Sequence, residues 1–508
     1  MLRKIRISLA AVMLIGITWL FVDFTGLAHT WLGWMAKIQF LPAALALNLL
    51  VVVALLVITL VLGRAYCSII CPLGVMQDIF GWLGKRRKKN RYNYSPAKTW
   101  LRWGVLVVFV VLMLLGLGGI ASIIAPYSAY GRIAQSLLQP LWEWGNNLCA
   151  FFAERADSYT FYSADVWLRS LPVLIIAVVS LVVLAILAWR GGRTYCNTIC
   201  PVGTVLGFVS RFALLKIHVD TDKCNKCGLC ARNCKASCID FKNHKIDHSR
   251  CVDCMDCIGK CHKHALSYGV AVNRNSQSTQ STQSTRSSQS SQNSQSSQNS
   301  PQQSRRDFLT TTALLGAVAL EAQAKKVDGG LAEIIDKKPY GRQTPIVPPG
   351  ALSISNLRDR CTGCQLCVSE CPNNVLRPSA DIMHLMQPES SFERGYCRPE
   401  CTRCSEVCPA GAILPITREE KSSTQVGHAV WQKDNCVAVN TDDGCGLCAR
   451  KCPAGAIEMI FTTIDGKSVI VPAVNEELCI GCGACEYYCP SRPVPAIHVE
   501  GHEVHKEV

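Results

Sequence analysis

The chain has 508 residues, of which 30 are cysteine, 49 % are hydrophobic and 18 % are charged. It is too long for one domain and too apolar for an ordinary soluble protein, so the sequence predicts a membrane protein with several soluble parts. The net charge of +15 could indicate nucleic-acid binding, but the basic residues cluster beside apolar segments, as at 85–89. Membrane topology explains them better, and we expect no nucleic-acid partner.

The thirty cysteines could form disulfides in an exported protein or bind metal, and their spacing favours metal. The motif Cys-x-x-Cys-His is absent from the sequence, and the four apolar segments described next contain no histidine. These two observations argue against covalent c-type haem and against bis-histidine haem in a membrane. We therefore expect no haem.

Residues 1–216 are predicted to form an α-helical membrane bundle of four spans. The uncharged apolar segments run from Ile7 to Val22, from Ile38 to Leu62, from Trp103 to Tyr130 and from Leu171 to Trp189. The loop at 63–102 is rich in Lys and Arg, whereas the loops at 23–37 and 131–168 are not. Both ends of this unit are therefore expected in the cytoplasm.

The second and fourth spans are followed by near copies of one sequence, Gly-Arg-x-Tyr-Cys-x-x-x-Cys-Pro-x-Gly, at 63–74 and 192–203. This internal repeat indicates two related halves of the bundle. Cysteines four residues apart share one face of a helix, so each pair can present two thiols at the cytoplasmic membrane edge. The thiols could hold an iron-sulfur centre, cycle between dithiol and disulfide near a quinone, or simply pack. We predict catalytic roles in electron transfer for Cys67, Cys71, Cys196 and Cys200.

Residues 217–274 have the spacing of a bacterial ferredoxin with two [4Fe-4S] clusters, which is a specific signal. In such loops three cysteines hold one cluster and the fourth reaches the other, whereas zinc sites rarely use this interval. The predicted ligands of the first cluster are Cys224, Cys227, Cys230 and Cys261, and those of the second are Cys251, Cys254, Cys257 and Cys234. The proline that usually follows the fourth cysteine is replaced by Lys235 and His262. Cys149 and Cys238 belong to no motif and are interpreted as structural.

Residues 275–304 consist almost wholly of Ser, Gln, Asn and Thr and are predicted to be a disordered linker. Ser-Arg-Arg-Asp-Phe-Leu follows at 304–309, then an apolar run to Leu320 and the small-x-small end Ala322-Gln-Ala324. Residues 305–324 resemble a twin-arginine export signal, and the 13 residues from Phe308 to Leu320 are short for a membrane span. The alternative is a cytosolic helix that begins with two arginines. If the signal is real, the two flanking parts work on opposite sides of one membrane.

Residues 325–508 contain four further cysteine groups, each ending in Cys-Pro, and are predicted to be a four-cluster α+β polyferredoxin. Their members are Cys361, Cys364, Cys367 and Cys371; Cys397, Cys401, Cys404 and Cys408; Cys436, Cys445, Cys448 and Cys452; and Cys479, Cys482, Cys485 and Cys489. Wider gaps make Cys397 and Cys436 the least certain iron ligands. Cys-Pro-Ala-Gly-Ala-Ile occurs at 408–413 and again at 452–457, which indicates a duplicated ferredoxin. The sequence does not show which groups exchange their fourth cysteine.

These motifs resemble those of two families. The four spans, the two Cys-x3-Cys-Pro motifs and the first ferredoxin resemble the NapH-type membrane quinol dehydrogenases that are associated with periplasmic nitrate reductase. The twin-arginine signal ahead of four cysteine groups is similar to the MauM/NapG ferredoxins. The resemblance implies a fusion that binds six [4Fe-4S] clusters and fixes the ratio of its two parts.

The resemblance implies a relay that takes electrons from the membrane quinol pool and passes them to a periplasmic reductase or cytochrome. We expect the protein to be a multi-pass protein of the bacterial inner membrane, exported in part by the twin-arginine machinery, with the first ferredoxin cytoplasmic and the second periplasmic. Two alternatives remain: a redox-sensing or maturation factor, and an inward-directed ferredoxin oxidoreductase. No dinucleotide-binding motif is evident in the sequence, which disfavours direct oxidation of NADH.

Overall fold

The computed structural model describes residues 2–87, 92–158, 160–270, 335–441, 444–464 and 467–507. The predicted linker at 275–304 and the predicted export signal at 305–324 lie outside these residues. Residues 1–271 and 338–508 belong to one compact unit. The predicted membrane bundle and both predicted ferredoxins can therefore be described together.

The described residues up to 214 form helices and the loops between them. The helices are α1 Leu2–Val22, α2 Leu27–Leu32, α3 Trp34–Lys37, α4 Phe40–Leu45, α5 Leu49–Leu62, α6 Ala65–Ile69, α7 Pro72–Arg87, α8 Thr99–Leu114, α9 Gly118–Ser122, α10 Pro126–Ile133, the π-helix Ala134–Leu138, α11 Gln139–Arg155, α12 Leu171–Gly191, α13 Thr194–Thr198, α14 Pro201–Val209 and the 3-10 turn Ser210–Phe212. The first and fourth predicted spans correspond to α1 and α12. Among the described residues these two helices are long and apolar enough to cross a membrane.

The second and third predicted spans are interrupted, which corrects the expectation of four continuous helices. The second is divided between α4 and α5, and Asn48 caps α5 by accepting a hydrogen bond from the amide of Val51. The third is divided among α8, α9 and α10, with Gly116 at φ +72° between α8 and α9 and Pro126 as the first residue of α10. A positive φ and a proline each interrupt the helical hydrogen-bond pattern. Apolar composition alone does not reveal such breaks.

The two cysteine-rich parts are built from short helices and two-stranded antiparallel sheets, as the α+β prediction requires. The first contains β1 Leu215–Val219, α15 Leu229–Asn233, β2 Ile239–Asp240, β3 Lys245–Ile246, the 3-10 turn Ile258–Lys260 and β4 Leu266–Val270. The second contains α16 Ile354–Arg360, α17 Leu366–Ser369, β5 Leu376–Pro378, β6 Pro388–Ser390, α18 Arg403–Val407, α19 Arg418–Ser423, β7 Thr424–Trp431, the 3-10 turn Lys433–Asn435, α20 Val437–Asn440, α21 Leu447–Arg450, β8 Ile457–Ile464, β9 Lys467–Val474, α22 Ala484–Tyr488 and β10 Ile497–Glu507. The pairs are β1 with β4, β2 with β3, β5 with β6, β7 with β10 and β8 with β9. The chain is thus multidomain, with ferredoxin-type parts and a mostly helical remainder.

The two ends of α1 contact different ferredoxins. Near its start, the Arg3 guanidinium pairs with Asp256 of the first ferredoxin at 2.7 Å. Just beyond its end, the carbonyl of Thr25 accepts a hydrogen bond of 2.7 Å from Arg403 of the second. A helix of 21 residues is roughly 30 Å long. The buried core follows α1 between these contacts, with Ile17, Leu20 and Phe21 completely inaccessible to solvent.

Candidate electron-transfer site

The four cysteines of the internal repeat form one buried group, which we call the four-thiol site. Cys67 and Cys71 come from α6 and the turn before α7, and Cys196 and Cys200 come from α13 and the turn before α14. Each is only 4 % exposed. The Cys71 and Cys200 thiols both lie close enough to Cys67 and Cys196 to interact electrostatically. The structure therefore brings together the four cysteines that the repeat singled out.

Two buried arginines cross between the halves of the repeat. Arg64 donates to the backbone carbonyl of Cys196 at 3.2 Å and lies 3.6 Å from the Cys67 sulfur. Arg193, at the matching position of the other half, donates to the backbone carbonyl of Cys67. Both arginines are completely buried. Burial raises the pKa of the Cys196 thiol, and the guanidinium groups of Arg193 and Arg64 act against that rise.

The two halves also have matching geometry in the turns that follow the cysteines. The amide of Gly203 donates to the Cys200 sulfur at 3.2 Å, and Gly74 makes the corresponding backbone bond to Cys71. A Cβ atom at Gly74 would lie 2.3 Å from the Cys67 carbonyl oxygen, and one at Gly203 would lie 2.3 Å from that of Cys196. The glycine of the motif is therefore needed for the close approach of two turns. The sequence prediction named the cysteines of the repeat but not Arg64 and Arg193, although the two arginines occupy the same position in its two halves.

The four-thiol site is joined to the first ferredoxin through Arg64. Its backbone amide donates to the Asp253 carboxylate at 2.8 Å, and its guanidinium donates to the Ser249 carbonyl at 3.2 Å. Burial raises the pKa of Asp253 to about 6, against the lowering effect of the Arg64 amide. Asp253 itself lies between Cys251 and Cys254, two of the predicted cluster ligands. The same arginine thus contacts both groups of cysteines.

Within the first ferredoxin, the four cysteines of the second predicted group lie near one another, as do three of the four cysteines of the first. Cys234 approaches Cys254 and Cys257, and Cys257 also approaches Cys251. In the other group, Cys230 lies near Cys224 and Cys227, and the Cys261 sulfur accepts a hydrogen bond of 3.3 Å from the amide of Ala265. Cys238, interpreted from the sequence as structural, is 1 % exposed, and its sulfur lies 3.5 Å from that of Cys234. Cys238 belongs to no motif that could have identified its position beside Cys234.

The second ferredoxin shows the exchange of fourth cysteines that the sequence left open. The last cysteine of the second group lies with the first group, and the last cysteine of the first group lies with the second. The third and fourth groups exchange their last cysteines in the same way. The four sets are Cys361, Cys364, Cys367 and Cys408; Cys397, Cys401, Cys404 and Cys371; Cys436, Cys445, Cys448 and Cys489; and Cys479, Cys482, Cys485 and Cys452. Cys397 and Cys436, the least certain ligands, lie within their sets.

The sets are also arranged in a series. The amide of Cys397 donates to the carbonyl of Cys482 at 2.9 Å, which joins the set of Cys397 to that of Cys482. The exchanged fourth cysteines join the Cys361 set to the Cys397 set and the Cys482 set to the Cys436 set. The order through the second ferredoxin is therefore the Cys361 set, the Cys397 set, the Cys482 set and the Cys436 set.

Aromatic residues of the helical part lie between the four-thiol site and the Cys361 set. Tyr66, which precedes Cys67, is close enough to Cys67, Cys71 and Cys200 to interact with them electrostatically. Tyr127 in α10 lies similarly close to Tyr66 on one side and to Cys364 and Cys408 on the other. Both tyrosines are 2 % exposed or less. No sequence pattern singled out Tyr127.

The donor set fits iron-sulfur clusters. Each set contains four thiols, and backbone amides point at the sulfur atoms, as Gly363 does to Cys361 at 3.4 Å and Ala496 to Cys489 at 3.3 Å. Such hydrogen bonds help to set cluster potentials. Among the described residues, no three His, Cys, Asp or Glu side chains are grouped for a single metal ion. A cluster uses a separate thiolate for each iron, so its ligands need not meet at one point.

A buried ion-pair network lies beside the four-thiol site. The Asp78 carboxylate contacts Arg193 at 2.7 Å, Lys235 at 2.7 Å and Arg6 at 3.1 Å. Burial alone would raise the pKa of Asp78, but Arg193 and Lys235 hold it well below its usual range. Asp78 therefore stays ionised and joins α1, the second repeat motif and the first ferredoxin.

Three models of iron-sulfur families match four segments of the chain. A model described as a 4Fe-4S binding domain matches residues 45–91 and 171–219, which include the four-thiol site. A 4Fe-4S dicluster domain matches residues 441–492, and another 4Fe-4S binding domain matches residues 357–377. No solved structure matches the chain.

The chain is also similar to several curated ferredoxin-type proteins. It is 29 % identical to the methylamine utilization ferredoxin-type protein MauM of Methylorubrum extorquens over 197 residues, which are 37 % of this chain and 84 % of the relative. It is 28 % identical to the ferredoxin-type protein NapF of Escherichia coli K12 over 178 residues, 35 % of this chain and 99 % of the relative. A putative electron transport protein of the same organism, YccM, is 25 % identical over 228 residues, 44 % of this chain and 55 % of YccM.

These matches confirm the central prediction from the sequence. The chain is an iron-sulfur electron-transfer protein that is related to the MauM and NapF ferredoxins, and it contains 4Fe-4S domains. Two helices with the length and composition of membrane spans give weak support for membrane association.

Proposed function

We propose that this protein is a membrane-bound quinol dehydrogenase that carries electrons through the four-thiol site to its second ferredoxin, and from there to a periplasmic oxidoreductase such as nitrate reductase. One observation carries the proposal. The four-thiol site contacts the first ferredoxin through Arg64 and approaches the Cys361 set through Tyr66 and Tyr127. Redox groups of both ferredoxins are thus connected through the helical part, which a soluble ferredoxin lacks.

Exposed apolar surfaces support the membrane location. Helix α12 exposes Ile175, Val179, Val182 and Ile186, each at 49 % or more, along one stripe. Soluble proteins rarely leave an apolar stripe of this length in water. In the proposal, the interrupted segments at 38–62 and 103–130 complete four spans, since broken helices are tolerated in membranes where protein surrounds the break.

The proposed sides of the membrane follow from the charges and from α1. The basic loop at 63–102 would lie in the cytoplasm with the first ferredoxin. The contacts of Arg3 and of Arg403 at opposite ends of α1 support a periplasmic position for the second. Its export would depend on Arg305 and Arg306, which the twin-arginine machinery would recognise. Six [4Fe-4S] clusters would be bound by the 24 ferredoxin cysteines.

The proposal predicts that quinol reduces the clusters only when the four-thiol site is intact. Anaerobically purified protein is mixed with a reduced quinol analogue, and bleaching of cluster absorbance in the visible range is followed. We expect Cys71→Ser and Cys200→Ser each to slow the bleaching at least tenfold, because each removes one of four thiols that lie together. Cys149→Ser is the matched control, since Cys149 is exposed and belongs to no set.

Chemical reduction by dithionite separates a blocked pathway from a damaged protein. Both site variants should reach the wild-type extent of bleaching with dithionite. If wild-type clusters stay oxidised at every quinol concentration, quinol oxidation is refuted and the sensing or maturation role becomes the better account.

A second prediction concerns the contact between the helical part and the second ferredoxin. A Cβ atom at Gly131 in α10 would lie 2.3 Å from the carbonyl oxygen of Cys364 and 2.8 Å from the Phe21 ring. We expect Gly131→Val to push the Cys361 set away from Tyr127 and to slow quinol-driven reduction of the second ferredoxin severalfold. Iron content and dithionite reduction should not change.

Gly145→Val serves as its control, because a Cβ atom at Gly145 in α11 meets nothing within 4 Å. The measurement is stopped-flow bleaching with both variants at equal iron content. Equal rates for Gly131→Val and the wild type would show that electrons do not pass through this contact.

A further inference from the structure

A cavity of about 460 Å³ lies between α1, α7 and the first ferredoxin. This volume is within the range of small-molecule sites. Its walls are mainly apolar side chains of the two helices. They include Ile7, Ala10, Ala11, Leu14, Val75 and Ile79.

One end of the cavity reaches the four-thiol site through Gln77. Gln77 lines the cavity, and its side-chain amide donates to the Cys196 sulfur at 3.3 Å. The residue is 1 % exposed. The carbonyl oxygen of the same amide is buried and has no hydrogen-bond partner. A hydroxyl donor at this end of the cavity would supply the partner that this oxygen lacks.

Charged groups at the same end provide fixed hydrogen-bonding partners. Asp78 and Lys235 line the cavity and form a 2.7 Å ion pair, and Asp256 lies 3.4 Å from Lys235. Since Asp78 remains ionised, its carboxylate can accept a hydrogen bond from a hydroxyl group. The cavity therefore combines an apolar body with a polar part where two carboxylates meet the Lys235 ammonium group, and Arg3, Arg6 and Lys85 line it as well.

The other end of the cavity is open to the outer surface of the helices. Ile7 is 44 % exposed, Ile79 is 43 % exposed and Trp82 is 53 % exposed. All three line the cavity. An apolar chain that occupies the cavity can therefore leave between α1 and α7 along these side chains.

We propose that this cavity binds the ring of the quinol, with a ring hydroxyl donating to the Gln77 carbonyl oxygen and the isoprenoid chain leaving between α1 and α7. The inference rests on the proposed function and assigns its substrate site. A quinol has the features that the cavity requires, namely hydroxyl donors on a flat ring and an apolar tail. The adjacent Cys196 thiol places the ring beside the first redox group.

The reaction balances within the proposed relay. A quinol gives up two electrons and two protons and leaves as the quinone. The electrons pass one at a time, through the protein at the four-thiol site, to two oxidised [4Fe-4S] clusters of the ferredoxins, and each of these clusters is reduced by one electron. The protons are released to water at the end of the cavity where Arg3 is exposed.

The test fills the cavity without touching its polar end. Ala11→Trp places an indole among the apolar walls, and Ala11 is exposed, so folding should tolerate the change. Val12→Trp is the matched control, since Val12 is the next residue of α1, is 58 % exposed and does not line the cavity. We expect the quinol concentration for half-maximal bleaching to rise at least tenfold in Ala11→Trp only. Dithionite reduction should be unchanged in both variants.

Photolabelling separates failure of this inference from failure of the proposed function. An azidoquinone is irradiated with the wild-type protein, and labelled peptides are identified by mass spectrometry. Labels on α1 and α7 that Ala11→Trp abolishes support the site. If quinol reduces Ala11→Trp as readily as the wild type, or if labels fall elsewhere, the site is refuted while quinol oxidation stands. If the wild type is labelled here but never reduced, the quinone site stands and the dehydrogenase function falls.

Discussion

Replacing Asp78 by asparagine should strongly destabilise the protein. The carboxylate is only 16 % exposed and is the shared anion for Arg6, Arg193 and Lys235. Removing its charge leaves three largely buried cations without their common partner, and loss of one member of such a network typically costs about 3–5 kcal/mol. Because the pKa of Asp78 is depressed, this stabilisation is fully present above the ordinary aspartate value of 3.8 and is lost only as the pH falls below it.

The measurement is the thermal unfolding of Asp78→Asn in detergent at pH 7, with iron content as a second readout. Asp220→Asn is the control, because Asp220 forms an exposed ion pair with Lys223 at 3.0 Å. Exposed pairs of this kind contribute little to stability, so Asp220→Asn should melt close to the wild type. Equal melting temperatures for Asp78→Asn and Asp220→Asn would mean that the network does not hold the helical part to the first ferredoxin.

The cysteine motifs could be found from the sequence because their chemistry demands fixed spacing. Cys67 and Cys196 were paired from a repeat of 129 residues, and the structure brings the halves together with Arg64 and Arg193 exchanged between them. The arginines are in the repeat as well, so the same signal could have identified them. A charged side chain that is buried at the same position of two apolar halves needs hydrogen-bonding partners, and the other half of the repeat can provide them.

Other features depend on contacts between residues far apart in the sequence. Asp78 meets Lys235 from 157 residues away. Lys235 stands out in the sequence only as a replacement for the usual proline, and no local pattern marks Asp78. The breaks at Asn48 and Gly116 lie within continuous apolar runs, where composition predicts a span whether or not the helix is straight. Tyr127 could not be distinguished from any other aromatic residue of the helical part. The packing between elements decides all three.

The exchange of fourth cysteines in the second ferredoxin leads to a prediction of comparable size. Cys408 follows the Cys397 group in sequence but lies with Cys361, Cys364 and Cys367. Cys408→Ala should therefore remove the cluster of the Cys361 set, with a loss of about four iron atoms per chain. It should also interrupt quinol-driven reduction of the second ferredoxin, because that set is the one nearest to Tyr127.

Double variants identify the cluster that is lost. If Cys408 and Cys361 serve one cluster, Cys408→Ala combined with Cys361→Ala should lose no more iron than either single variant, since effects within one unit are not additive. Cys408→Ala combined with Cys397→Ala should lose about eight iron atoms, because two clusters are then incomplete. Iron and acid-labile sulfide are measured on anaerobically purified protein, with Cys149→Ala as the control. The reverse pattern of iron loss would mean that each cysteine group binds its own cluster and that the exchange is wrong.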